Sequence, residues 1–228
     1  CIFTILIVPS YLGSNANDYL YGSSEILGEN SQYGKDTKAI ENVFGKIDTY
    51  VLLVPKGNTA TQKALSNELH TLPEITSIIS YIDIVGAEIP NAYLDADALS
   101  QLEGENYSRM VLSVDVPYEG DSTFTLVENI REIADKYYPD NNYLAGEGVS
   151  TYDLKETITA DMVLVNLVAI GAVFLVLLIT LKSIPLPFIL VLSIETAIWL
   201  NLSVPYFSDK PIYYLAYLII SSIQLGAT

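Results

Sequence analysis

Beyond residue 161 the chain carries three apolar stretches, and the middle one holds a single carboxylate, Glu195, near its centre. Residues 162–181 contain no formal charge, residues 184–204 contain only Glu195, and residues 211–228 again contain none. Each stretch is close to the roughly 20 residues, at about 1.5 Å per residue, that a helix needs to cross about 30 Å of hydrocarbon. A lipid-facing segment has to satisfy its own backbone polar groups, so these stretches predict all-α transmembrane helices at about 162–182, 184–204 and 211–228.

The rest of the chain has a different character. Residues 14–160 hold 24 of the 27 acidic residues and nine of the 11 basic ones, so nearly all of the net charge of -16 lies there. This predicts an acidic globular domain joined to an oily one. Nucleic acid and anionic membrane surfaces are poor partners for such a domain, because both would repel it. Its length suits one core, and Cys1, the only cysteine, lies outside it, so the domain folds without disulfides.

Both ends read as cut. Residues 2–8 form an apolar stub far too short to span; a mature lipoprotein also begins with Cys, but a polar tether would follow. Residues 1–13 are therefore expected to be the end of a membrane helix, and the third apolar run is expected to continue past Thr228. Orientation follows from the turn between the first two spans, which is only Lys182 and Ser183. A lysine in so short a loop favours the cytoplasmic side, which leaves residues 14–160 and 204–210 outside.

Within the acidic domain, hydrophobic periodicity switches between strand and helix. Residues 50–54 are a β-branched run ending at Pro55, followed by a turn at Gly57 and a helix cap at Asn58. Leu65, Leu69 and Leu72 recur along one helix face that stops before Pro73, and residues 75–82 read as a second strand. Met110, Leu112, Val114 and Val116 alternate with Val111, Ser113 and Asp115 in a third. Asp121 or Ser122 is expected to cap a second helix with Leu126, Val127, Ile130, Ile133, Ala134 and Tyr137 on its apolar face, and residues 142–145 supply a fourth strand. The order βαββαβ predicts an α+β domain of the ferredoxin-like kind, with both helices on one face of a four-stranded sheet.

Around this core, residues 14–34 read as an extended linker and residues 35–44 as a short helix. A helix is expected around residues 95–102, and residues 151–161 are expected to form a helical stalk. Asp161 then marks the outer end of the first span. Asp95-Ala96-Asp97 has the spacing of a metal-binding pair, but with no companion chemistry it reads as a solvated acidic turn. His70 reads as a helix-end surface residue, and no metal site is expected. No Gly-rich phosphate loop, His-Glu-x-x-His, paired cysteines or Gly-x-Ser-x-Gly occurs, so an enzyme is not expected.

Several stretches resemble the MMPL branch of the resistance-nodulation-division (RND) transporters. They are Val43-Phe44-Gly45, Val54-Pro55, Gly146 through Asp153-Leu154, Leu181-Lys182-Ser183-Ile184-Pro185-Leu186-Pro187, and the run from Ser221 to Thr228. The last two are the most specific. The resemblance implies export driven by the proton-motive force, with protons as the coupling ion and no other cofactor. It also implies two homologous halves, each with six spans and one extracytoplasmic porter domain, in a multi-pass protein of the bacterial plasma membrane. Residues 1–228 would then be part of the N-terminal half, with 14–160 the porter domain and 161–228 membrane helices. The missing C-terminal half with its second porter domain, the lipid bilayer and a hydrophobic or amphipathic substrate would be its partners. In members of this branch the helix that begins like residues 211–228 continues into an Asp-Tyr pair that relays protons; this sequence stops before it.

Glu195 is the one ionisable group left inside the oily part. A carboxylate at mid-bilayer costs about 2.5–3.5 kcal/mol on insertion scales, so it calls for a partner, a wet cavity or protonation. Low dielectric favours the protonated form, which suits a proton carrier. The structural alternative is a Glu hydrogen-bonded to a neighbouring helix, for example through Asn166 or Gln224. Gln224, Gly226 and Ser221/Ser222 form a small polar helix face suited to close packing, or to lining a transport path. Two other functions fit a chain of this kind: a permease subunit of an ATP-driven exporter, or a membrane-anchored sensor or scaffold with an acidic ectodomain.

Overall fold

The computed structural model describes residues 2–22, 31–45, 48–86 and 96–226. In chain order these form α1 (Ile2–Asn15), β1 (Tyr19–Leu20), α2 (Gln32–Phe44), β2 (Asp48–Pro55), α3 (Thr59–Leu69), β3 (Ile75–Ile79), α4 (Tyr81–Ile84) and α5 (Ala96–Leu102). They continue as β4 (Tyr107–Val114), α6 (Asp121–Tyr137), β5 (Tyr143–Ala145), α7 (Glu147–Leu181), α8 (Pro185–Phe207), β6 (Ile212–Tyr213) and α9 (Tyr214–Gly226). The chain divides into two compact units, one of Gly22–Leu154 and one of Cys1–Tyr21 with Lys155–Thr228.

The Gly22–Leu154 unit is a mixed α+β layer built on a sheet of order β3-β4-β2-β5, with every pairing antiparallel. Alternation places Tyr50, Leu52 and Val54 of β2 and Met110, Leu112 and Val114 of β4 on one buried face. Leu65 and Leu69 of α3 and Leu126, Val127, Ile130 and Ala134 of α6 pack into the same core, so both helices cover that single face. Burying each such aliphatic side chain contributes about 1.5–3 kcal/mol. Asn58 caps α3 as its sequence position predicts, accepting from the Thr61 N–H at 3.1 Å. The second strand is shorter than expected, because Ser80 leaves the sheet to cap α4, accepting from the Asp83 N–H.

The cap expected at Asp121 or Ser122 is not there. Gly120 occupies the N-cap at φ 125° with no side-chain bond, which places Asp121 inside the first turn. There it acts through its charge at the helix N-terminus rather than as a cap. Thr123 is engaged elsewhere, donating to the Pro117 carbonyl. The expected metal-pair position Asp95 lies outside the described residues, as do the side chains of Ala96 and Asp97.

A polar clasp joins α3 to α6. Lys136 Nζ lies 2.8 Å from both carboxylate oxygens of Glu68, and the Tyr137 hydroxyl donates to Glu68 at 2.6 Å. The bonds from Lys136 and Tyr137 hold the Glu68 carboxyl below its ordinary value near 4.5. A carboxylate with a lowered folded-state pKa stabilises the fold above its unfolded value and loses that contribution as pH falls through the folded one. Wild type is therefore expected to melt above Glu68→Gln at pH 7, with the gap closing below pH 4.5; thermal unfolding across pH 3–7 checks this.

In the other unit, α1 packs along α8, with Gly13 so close to Ser203 that an added Cβ would lie 2.9 Å from the Ser203 Cβ. Small residues at such a crossing let helix backbones approach. Of the linker expected over residues 14–34, residues 23–30 lie outside the described residues, and residues 14–22 are more ordered than their Gly, Ser, Asn and Tyr content suggests. Ser14 and Asn15 finish α1, Asn17 donates to the Leu202 carbonyl at 2.7 Å, and β1 pairs in parallel with β6. That pairing delays the third apolar helix, which starts at Tyr214. The helices Glu147–Leu181 and Pro185–Phe207 are long and apolar enough to cross a membrane. The stalk and the first span are one uninterrupted helix, α7, whose most apolar 18-residue window holds no fully buried residue.

Candidate functional site

The sequence places one carboxylate in the oily part, and the fold gives it a cavity. Glu195 sits near the middle of α8, where a 3.6-residue period brings Trp199 and Leu202 onto its face. All three line a cavity of about 550 Å³, together with Tyr11 and Ser14 of α1, Tyr19 of β1, Asn166 and Ile170 of α7, and Tyr217 and Ser221 of α9. Tyr11 meets Trp199 edge-to-face at 5.1 Å between ring centres, and Tyr19 meets Tyr217 at 5.6 Å. Such pairs favour a fixed geometry over a collapsed one.

Asn166 does not serve Glu195. Its amide donates to the Tyr217 hydroxyl at 2.9 Å, tying α7 to α9. Glu195 Oε1 is buried and makes no hydrogen bond among the described residues. A carboxylate oxygen removed from water without a donor is costly. Gln224 and Gly226 lie in α9, but their side-chain surroundings fall outside the described residues. Ser221 is buried and bonds back to the Leu218 carbonyl at 3.2 Å, the local partner a Ser finds inside an apolar helix.

Lys182 and Ser183 form the turn between α7 and α8. Lys182 has φ 49°, its N–H donates to the Leu178 carbonyl at 3.1 Å, and its side chain is exposed. Pro185 follows at the first position of α8, where its missing N–H costs nothing. Among the described residues no group of three or more His, Cys, Asp or Glu side chains is placed to hold a metal ion.

The aromatic wall was missed by reading charges alone. Trp199 at i+4 from Glu195 was a legible signal, as was Tyr217 one helical turn before Ser221; Tyr11 and Tyr19 come from the far end of the chain and gave none.

Compared with known families, residues 32–210 match the model of the MMPL family, which covers most of the α/β unit and runs through α7 and α8. The chain belongs to the MMPL family. MMPL proteins are membrane transporters of the RND type, so the apolar helices α7 and α8 are those of a membrane protein. No curated protein sequence matches the chain. The matched region contains Glu195, Asn166, Lys182 and Ser183, whereas Gln224 and Gly226 follow its end.

Proposed function

We propose that this MMPL chain is part of an exporter driven by the proton-motive force, which moves lipidic or other amphipathic molecules out of a bacterial plasma membrane. The observation that carries the reading is the continuous family match from the sheet domain into the apolar helices. The strand order β3-β4-β2-β5 with two helices on one face supports a ferredoxin-like porter domain outside the cell, paired in the working pump with a second one from a homologous half. Protons are the coupling ion and no other cofactor is required.

Glu195 belongs to the route taken by protons or substrate. An ionisable side chain within an apolar helix is a functional candidate by virtue of its cost, and here it borders a cavity while its Oε1 has no bonding partner among the described residues. The test is substrate accumulation in cells with and without the gene that encodes this sequence, each with an intact and with a collapsed proton gradient. Export that needs both the gene and the gradient supports the reading. Export that survives the uncoupler but stops on ATP depletion points instead to an ATP-driven permease, and no transport phenotype points to a sensor or scaffold.

A further inference from the structure

We propose that the cavity beside Glu195 is a binding site for lipophilic organic cations, with the positive head at the Glu195 carboxylate and the apolar body among the aromatic rings. The volume, about 550 Å³, falls in the range of roughly 300–1,000 Å³ typical of small-molecule sites. Among the described residues Glu195 is the only acidic side chain on the wall and no Lys, Arg or His lines it, so nothing there attracts an anion. Glu195 Oε1 is out of water and has no donor among the described residues, and the amide of Asn166 on the same wall is bonded to Tyr217. A cation supplies the missing charge.

The rest of the wall decides which kind of cation. Metal ions such as Ca²⁺ and Mg²⁺ take six or more oxygen ligands, which a wall dominated by rings and aliphatic side chains does not offer. Tyr11, Tyr19, Trp199 and Tyr217 offer π faces, which attract a weakly hydrated ammonium and bury an alkyl or aryl body at the same time. A quaternary or tertiary amine with an apolar tail meets both demands; an anionic phosphate head meets neither.

This names a substrate class for the transport reading and takes its biological meaning from it, but binding is measurable without any gradient. Trp199 is the only tryptophan in the sequence and stands on the cavity wall, so contact with a heavy-atom ligand is read as quenching of its fluorescence. The probe is 4-bromobenzyltrimethylammonium, and its counterpart is the anion 4-bromobenzenesulfonate, both added to the protein purified in detergent. The expected result is saturable quenching by the cation and none by the anion. Glu195→Gln should weaken the cation by about tenfold or more, while Glu195→Asp stays within about threefold of wild type. Equal quenching by cation and anion overturns the proposal, and so does a Glu195→Gln protein that binds the cation as wild type does. The cation–anion comparison needs no variant, so it stands even if a substitution impairs folding. Gradient-dependent export without cation binding would sink this inference alone; cation binding without export would sink the transport reading alone.

Discussion

Gly148→Ala is expected to destabilise the α/β unit by about 2–3 kcal/mol, although Gly→Ala within a helix ordinarily stabilises by up to about 1 kcal/mol. Gly148 stands in the first turn of α7, and a Cβ there would collide with the Tyr50 hydroxyl and lie 2.7 Å from Thr123 Cγ2. Tyr50 is fully buried in the sheet core, where interiors are close-packed and a displaced ring meets its neighbours. Its hydroxyl is itself a buried polar group without a hydrogen bond among the described residues, and burial together with the nearby Asp48 carboxylate pushes its pKa up. Removing that oxygen costs no bond and opens space. Tyr50→Phe alone should therefore be nearly neutral, and Gly148→Ala combined with Tyr50→Phe should recover about 1 kcal/mol or more of the loss. Chemical denaturation of the four proteins forms the double-mutant cycle; strictly additive effects would mean that the two residues do not touch.

Glu195→Gln is expected to lower gradient-dependent export by at least about tenfold, the effect of about 1.4 kcal/mol. Glutamine keeps the shape of the side chain and one acceptor oxygen but can neither ionise nor carry a proton. Because no bond to Glu195 Oε1 is lost, thermal stability should change little while transport falls. Wild-type export by the variant would assign Glu195 a purely structural place in α8.

What the sequence revealed and what it concealed divide by distance along the chain. The β2 strand, the Asn58 cap, the alternation of β4 and the apolar face of α6 were legible, because each rests on a local period or a local bond. Gly120 was not, because a positive φ at the N-cap shifts α6 by a position that propensity alone does not fix. Tyr19–Leu20 looked like linker because two residues have no period; they become strand only when Ile212–Tyr213, far along the chain, lie beside them. The site divides in the same way. Glu195 stood out as a lone charge in an oily run, and the Lys182–Ser183 turn as a gap between two such runs with Pro185 after it. The bond from Asn166 to Tyr217 and the rings of Tyr11 and Tyr19 depend on packing between helices that no local pattern encodes.

In the proposed pump α7 and α8 cross the bilayer with the acidic domain on its outer side. The most direct measurement is labelling of single cysteines by a membrane-impermeant thiol reagent, in spheroplasts expressing a Cys1→Ser background. Ser122→Cys in α6, Ser183→Cys in the α7–α8 turn and Ser208→Cys just after α8 mark three successive points along the path. The cysteines at 122 and 208 are expected to react in intact spheroplasts, and the one at 183 only after permeabilisation. Equal labelling of all three before permeabilisation, or release of the protein without detergent, would contradict it.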